Sequence, residues 1–288
     1  IAVHSTLQTT TSIILAWTAP ATLTGAAITG YKVYYEDVVF KPVSTLAPGV
    51  STVAFSSTDP SNTTGVISGL LGGRVYRYAV TSLSTAGESP IPAASLVLQS
   101  TAPPPVVSIT NKQQTTDSIT LQWTVPRVTG GSAVSGIRVY RDDGNGGSVN
   151  LVHTGVSATS VTLHGLQGGS LYNFALAATS DAGAGSLATA ALSTAPAAPT
   201  LLTSVSQTAT SIGVSWAAPV ESGGAVVTGY TLYRDTGVTG SDISIVVSQY
   251  SASTNSTVVS GLEGGRLYRF QISAKSTVGD GFRSGLLS

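Results

Sequence analysis

The side chains able to do chemistry are few and scattered. The histidines are His4, His153 and His164, and there is no cysteine. His153 and His164 on neighbouring strands would put two imidazoles together. No carboxylate at ligand spacing joins them, and one pair falls short of a zinc site. They read as structural or exposed residues. The run Arg141-Asp142-Asp143-Gly144-Asn145-Gly146-Gly147 gathers oxygens of the kind calcium takes, but it lacks the later Glu of an EF-hand loop. Asp-Gly and Asn-Gly are hairpin-turn signals, so the run reads as a turn. No Gly-x-Ser-x-Gly elbow, phosphate-cradling loop or His-Glu-x-x-His helix is present. Composition alone does not exclude the paired carboxylates of glycoside hydrolysis, but no cleft-forming domain is evident to hold them. No catalytic residue, metal or cofactor is expected.

Two positions invite modification instead. Asn62-Thr63-Thr64 and Asn255-Ser256-Thr257 are sequons without proline at the middle position. In a secreted eukaryotic protein, Asn62 and Asn255 would carry N-linked glycans on surface turns.

Charge narrows the partners. Thirteen basic and thirteen acidic residues cancel, and charged residues are 9% of the 288, against about 25% in ordinary soluble proteins. No basic footprint exists for a phosphate backbone, so nucleic acid is not an expected partner. The longest uncharged stretch, Ala182 to Val220, is broken by Pro196, Pro199 and Pro219. It does not read as a spanning helix, and membrane insertion is not expected. Ile1 rather than Met opens the chain, which reads as a piece of something longer.

The elements that must position any site come in three copies. Ser12-Ile13-Ile14-Leu15-Ala16-Trp17, Ser118-Ile119-Thr120-Leu121-Gln122-Trp123 and Ser211-Ile212-Gly213-Val214-Ser215-Trp216 alternate with period two, as half-buried strands do. A proline stands three residues after each Trp, at Pro20, Pro126 and Pro219. A second strand follows as Gly30-Tyr31-Lys32-Val33-Tyr34-Tyr35, Gly136-Ile137-Arg138-Val139-Tyr140-Arg141 and Gly229-Tyr230-Thr231-Leu232-Tyr233-Arg234. The third block runs Gly-Leu-x-Gly-Gly-x-x-Tyr-x-Phe or Tyr, with its tyrosines at Tyr76, Tyr172 and Tyr268. A further Gly turn follows at Gly87, Gly183 and Gly279.

These blocks, in this order three times, resemble the fibronectin type III module over essentially the whole chain. The resemblance implies an all-β protein of three tandem seven-stranded antiparallel β-sandwiches in a rod. Short alternating strands with regular turn signals agree with that class. It also implies that Trp17, Trp123 and Trp216 fill the cores. Tyr76, Tyr172 and Tyr268 would form tyrosine corners, burying the ring while the hydroxyl bonds to upstream backbone. Loss of any of these rings is expected to cost about 3–5 kcal/mol.

Thr101-Ala102-Pro103-Pro104-Pro105 and Thr194-Ala195-Pro196-Ala197-Ala198-Pro199 read as short, semi-rigid linkers. They divide the chain into modules at 1–100, 101–195 and 196–288. The first is longer from Trp to corner Tyr, with the extra residues near 37–62 and an apolar run Val38-Val39-Phe40. That excursion is either a tolerated hairpin extension or a contact surface.

With Tyr31 and Val33 inward, Tyr34, Tyr140 and Tyr233 should face outward, beside Arg77, Asn173 and Arg269. Such a repeated face is either cross-strand packing or a docking surface. Sheet edges invite pairing with other chains, and charge, especially lysine, usually blunts them. This chain has only Lys32, Lys41, Lys112 and Lys275. The expected role is therefore non-enzymatic: a structural protein, extracellular or at the cell surface. It would self-assemble into a fibril or coat through Val38, Val39 and Phe40 and the Tyr34, Tyr140 and Tyr233 face. Copies of itself, head-to-tail or lateral, are the expected partners. An adhesion or receptor ectodomain, or a spacer array of a secreted polysaccharide-degrading enzyme, are the alternatives.

Overall fold

A computed structural model describes residues 1–21, 26–40, 44–48, 51–91, 96–128, 131–222 and 225–288, with the Val156 side chain also outside the description. No helix occurs among the described residues; the chain is all-β. The first module contains β1 (Val3–Gln8), β2 (Ser12–Trp17), β3 (Ile28–Asp37), β4 (Val53–Ser57), β5 (Thr64–Ser68), β6 (Val75–Ser84), β7 (Gly87–Glu88) and β8 (Val97–Ser100). The second contains β9 (Val107–Gln114), β10 (Ile119–Thr124), β11 (Gly136–Arg141), β12 (Asn150–Val156), β13 (Ser160–Leu163), β14 (Leu171–Ser180), β15 (Gly183–Ala184) and β16 (Ala188–Ser193). The third contains β17 (Thr200–Gln207), β18 (Ser211–Ala217), β19 (Val227–Arg234), β20 (Ile245–Ser251), β21 (Ser256–Ser260), β22 (Phe270–Ser276) and β23 (Gly279–Arg283).

Each module pairs a three-stranded sheet with a larger one. In the first, β1-β2-β5 faces β4-β3-β6-β7, and β8 also pairs β6. Since β7 and β8 are two pieces of one strand along β6, the module has seven strands. The same order recurs as β9-β10-β13 with β12-β11-β14, then as β17-β18-β21 with β20-β19-β22-β23. All pairings are antiparallel, as hairpins and Greek-key returns require.

Period-two alternation sends one face of each strand into the core. Ile13, Leu15 and Trp17 meet Tyr31, Val33, Tyr76 and Tyr78 in the first module. Ile119, Leu121 and Trp123 meet Ile137, Val139 and Phe174 in the second, and Val214 and Trp216 meet Tyr230, Leu232 and Phe270 in the third. The three tryptophans are buried. Trp17 stands edge-on to Tyr31 at 5.5 Å, and Trp216 to Tyr230 at 5.7 Å, a favoured aromatic geometry. Within β3, position 30 is glycine because the neighbouring strand passes too close for a side chain: a Cβ on Gly30 would lie 2.0 Å from the Ser57 carbonyl oxygen.

The extra length of the first module lies between β3 and β4, where residues 38–40 form a turn. Residues 41–43 and 49–50 of that excursion, Lys41 included, lie outside the described residues.

The tyrosine face needs correction. Tyr34 is on the outer side of its sheet, opposite Tyr31 and Val33, yet it is wholly buried. Its hydroxyl donates to Glu88 Oε1 at 2.6 Å, so it offers no surface to a second copy. Alternation assigns a side of the sheet; it does not tell whether that side is covered.

Candidate functional site

The corner where the third strand leaves each sheet carries a buried acid that the sequence reading passed over. Alignment of β3, β11 and β19 makes Glu36, Asp142 and Asp235 equivalent, and all three are buried. Asp235 Oδ1 accepts the amides of Gly237 (3.0 Å) and Arg269 (3.1 Å), while Oδ2 accepts Arg269 Nε at 2.7 Å. Asp142 repeats this with the amides of Gly144 (3.1 Å) and Asn173 (3.0 Å) and with Asn173 Nδ2 (2.7 Å). In the first module the longer Glu36 spans a longer loop. It pairs with Arg77 and accepts the Thr45 amide and hydroxyl, both at 3.1 Å.

These acids tie the hairpin corner to the adjacent strand, and they consume Arg77, Asn173 and Arg269. The tyrosine-and-arginine docking face is thereby corrected a second time. Tyr140 and Tyr233 are half-buried, and Tyr233 is capped by a different arginine, Arg283, with its guanidinium 3.7 Å from the ring centroid. Burial acts to raise the carboxyl pKa of Glu36 and Asp235, but hydrogen bonds outweigh it. The Thr45 amide and Arg77 hold Glu36 below its ordinary value, and Arg269 does the same for Asp235. Glu88 behaves alike: burial raises it, while Lys32, Thr81 and Tyr34 bring it down.

The corner tyrosines use their hydroxyls identically. Tyr76 accepts the Leu71 amide (2.8 Å), Tyr172 that of Gln167 (2.7 Å) and Tyr268 that of Glu263 (3.0 Å). On the inner side, Arg141 and Arg234 stack over Tyr172 and Tyr268, with centroid distances of 5.2 and 5.6 Å. Tyr35 takes that place beside Tyr76.

Other positions singled out by sequence stand apart from one another. Val38 is half-buried, whereas Val39 and Phe40 are exposed, Phe40 at 72% beneath the Arg74 guanidinium. Asn255 is exposed and Asn62 half-buried. Their turns match, but the asparagines are offset by one residue: Trp216 donates to the carbonyl of Asn255, and Trp17 to that of Thr63. His153 and His164 are exposed, and among the described residues no three metal-ligating side chains cluster. In the Arg141–Gly147 run, Asp143 Oδ1 accepts the amides of Asn145 (2.9 Å) and Gly147 (3.3 Å), which closes a turn.

The most specific construction is at the module junctions. Thr101 and Ala102 are buried and stitched into the first module. The Thr101 amide donates to Arg74 O (2.9 Å), its hydroxyl donates to Leu71 O (2.7 Å) and accepts the Arg74 amide (3.1 Å). The Ala102 amide donates to Thr9 O (3.0 Å), and Ala102 O accepts the Gly73 amide (2.9 Å). All five bonds recur around Thr194 and Ala195, with Ser170, Gln167, Thr115 and Gly169 as partners.

Each following module then closes on this segment. A Cβ on Gly185 would lie 2.2 Å from Pro103 O, and one on the equivalent Gly281 2.4 Å from Pro196 O. Thr10 of the first module accepts the Ser186 amide of the second at 2.8 Å. Gln114 of the second donates to Val278 O of the third at 2.8 Å. The linkers are thus parts of the modules rather than solvated spacers. The signal was present as Ser-Thr-Ala-Pro, repeated without change at 100–103 and 193–196.

Comparison with known proteins agrees with this architecture. Exoglucanase B of Cellulomonas fimi is 27% identical over 94% of this chain and 23% of its own length. Chitinase A1 of Niallia circulans is 34% identical over 58% of this chain and 22% of its own. Receptor-type tyrosine-protein phosphatase F of Rattus norvegicus is 29% identical over 97% of this chain and 14% of its own. The chain therefore spans less than a quarter of the length of these curated relatives. The matches fall on non-catalytic repeats, and with residues 2–97, 102–194 and 197–287 each matching the fibronectin type III domain, the chain belongs to that family three times over.

Proposed function

We propose that this chain is a non-catalytic spacer array of a larger secreted or cell-surface protein, holding flanking domains at a set separation. The observation that carries this reading is the pair of identical junctions, in which Thr101-Ala102 and Thr194-Ala195 are buried and bonded to the module they leave. A free tether would use a solvated Gly/Ser linker with no such bonds. The relatives named as a glucanase and a chitinase support a spacing role beside other domains. Small-angle scattering of the chain is the test. A narrow set of inter-module distances is expected, broadening in Thr194→Val/Ala195→Asp. An unsubstituted chain that already scatters as freely hinged beads would remove the spacing role.

Self-assembly into a fibril or coat is a second reading, favoured by the exposed Val39 and Phe40 at the tip of the first-module turn. Copies meeting there would leave glycans at Asn62 and Asn255 pointing outward. Light scattering at micromolar concentration should show concentration-dependent growth that Phe40→Asp abolishes. A monomer indifferent to that substitution ends this reading. Occupied sequons in protein from its native source would raise the intact mass above 29.0 kDa.

A further inference from the structure

The turn after β11 leaves one amide unused beside a reactive side chain. Asn145 precedes Gly146, and no other asparagine of the chain is followed by glycine. Around this pair the acids hold the main chain. Asp142 Oδ1 accepts the Gly144 amide, and Asp143 Oδ1 accepts those of Asn145 and Gly147. The Gly146 amide, alone of these four, donates to nothing among the described residues. Asn145 and Gly146 are both exposed. Gly146 is left-handed, with φ of 80°, and no atom lies within 4 Å of the place its Cβ would take.

We propose that Asn145 is a self-modifying site, which closes an imide ring with the Gly146 nitrogen and opens to aspartate or isoaspartate, loosening the junction of the second and third modules. The Gly146 nitrogen gives its proton to hydroxide and attacks Asn145 Cγ. An N–Cγ bond forms, the Cγ–Nδ2 bond breaks, and Nδ2 takes a proton from water and leaves as ammonia. Water then adds to either ring carbonyl. Attack at Cγ restores the main chain and leaves aspartate; attack at the main-chain carbonyl leaves isoaspartate, whose chain runs through the side-chain carbon. Water is the co-reactant, and nothing is oxidised or reduced. Glycine puts no side chain beside the attacking nitrogen. Asp143-Gly144 has the same spacing without the same freedom. Its Gly144 amide is engaged by Asp142, and the amides of Asn145 and Gly147 hold the Asp143 carboxyl below its ordinary value. Asp143 is therefore an ionised carboxylate at neutral pH, a poor target for a nucleophile.

The turn stands at the junction. Asn145 and Gly146 line an open cleft with Gly169, Ser170, Glu221 and Ser222, the last two from the third module. Conversion puts a carboxylate on the wall opposite Glu221, which makes no ion pair among the described residues. The one base of the turn, Arg141, is stacked on the Tyr172 ring. Isoaspartate also lengthens the main chain of a turn packed on that ring: a Cβ on Gly144 would lie 2.7 Å from Tyr172 Cε1. The Tyr172 hydroxyl holds the Gln167 amide, and Gln167 O holds the junction hydroxyl of Thr194. The proposal is independent of the spacing role, since the chemistry needs only the turn and water.

The test ages the full chain at pH 8 and 37 °C in heavy-oxygen water and maps its peptides by mass spectrometry. Residue 145 should gain one heavy oxygen about tenfold or more faster than Asn150, which lacks the following glycine. Asp143 should stay unlabelled, and Gly146→Ala should slow the conversion by about tenfold. Equal labelling of Asn145 and Asn150, or no effect of Gly146→Ala, would overturn the ring closure. In the aged chain, amide exchange at Gly169 and Ser170, which bond to Ala195 and Thr194, should quicken by about threefold or more. The equivalent Gly73 and Arg74 at the first junction should not change. Aged Asn145→Gln should keep its original exchange at all four. Converted protein with unchanged exchange at Gly169 and Ser170, or equal quickening in Asn145→Gln, would overturn the effect on the junction.

Discussion

Asp235 and Arg269 close the third module's hairpin corner through both backbone and side chain: one carboxylate, 1% exposed, takes the Arg269 amide on one oxygen and its Nε on the other. Charge-assisted bonds of this kind contribute about 1.5–3 kcal/mol. Arg269 is still 28% exposed, so water partly replaces the pair when it breaks. Asp235→Ala should lower the stability of the third module by about 2 kcal/mol, the lower part of that range, and leave the first module's transition in place. Calorimetry resolving the module transitions measures this.

The same carboxylates set an acid limit. Glu36, Glu88 and Asp235 all have folded pKa values below their ordinary 4.5, 4.5 and 3.8. A depressed folded value means the unfolded chain binds the proton more tightly. The stability these groups add is complete above the ordinary values and is lost as pH falls through the folded ones. Unfolding midpoints of the first and third modules should hold steady at neutral pH and decline below about pH 4.5. Glu36→Gln should flatten the first module's decline. Thermal scans from pH 7 to pH 2 give the comparison, and a slope beginning near neutrality would contradict it.

Much of this architecture was legible because core positions repeat by period. Trp17, Trp123 and Trp216 mark one strand, and Tyr76, Tyr172 and Tyr268 another, each by spacing and residue type. Tyr34 was misread because alternation reports a side of a sheet, and three hydrogen bonds to Glu88 from Lys32, Tyr34 and Thr81 lie across that side. The acids Glu36, Asp142 and Asp235 escaped notice because their partners lie 31 to 41 residues away on another strand. The junction threonines looked like linker because proline neighbours dominate a local reading. Only the fold brings Thr9 and Gly73 to either side of them.

Tyr78 offers a gain. Its ring is buried in the first core, and its hydroxyl has no hydrogen-bond partner among the described residues; burial pushes its pKa well above the ordinary value. The equivalent residues in the other modules are Phe174 and Phe270. Tyr78→Phe should leave the fold intact and raise first-module stability by about 1 kcal/mol, since a buried, unpaired hydroxyl is removed at constant shape. Denaturant titration followed by fluorescence checks it; a loss of stability would reveal an unseen partner.

Tyr172→Phe is expected to act oppositely. There the hydroxyl is the acceptor for the Gln167 amide, and its removal leaves that amide without its bond. A cost of about 1–3 kcal/mol follows, confined to the second module. Because Gln167 O also holds the junction hydroxyl of Thr194 at 2.8 Å, exchange at Gly169 and Ser170 should quicken as well. An unchanged exchange pattern would separate the tyrosine corner from the junction.

Gly169 and Gly265 separate the cost of a turn from the cost of a junction. Both have left-handed backbone, with φ of 74° and 80°, a region that disfavours any Cβ by about 1–2 kcal/mol. Around Gly265 nothing lies within 4 Å of an added Cβ; around Gly169 the Glu221 carbonyl oxygen would lie at 2.3 Å and the Ala197 nitrogen at 3.0 Å. Those neighbours belong to the third module and its linker, and they are backbone, so they cannot swing aside. Gly265→Ala should therefore cost only the turn term, about 1–2 kcal/mol, with inter-module geometry unchanged. Gly169→Ala should cost more and also pry the second and third modules apart. Scattering profiles of the two variants decide the matter: the distance distribution should broaden for Gly169→Ala alone. If both variants scatter like the unsubstituted chain, the Gly169 contact does not hold the junction.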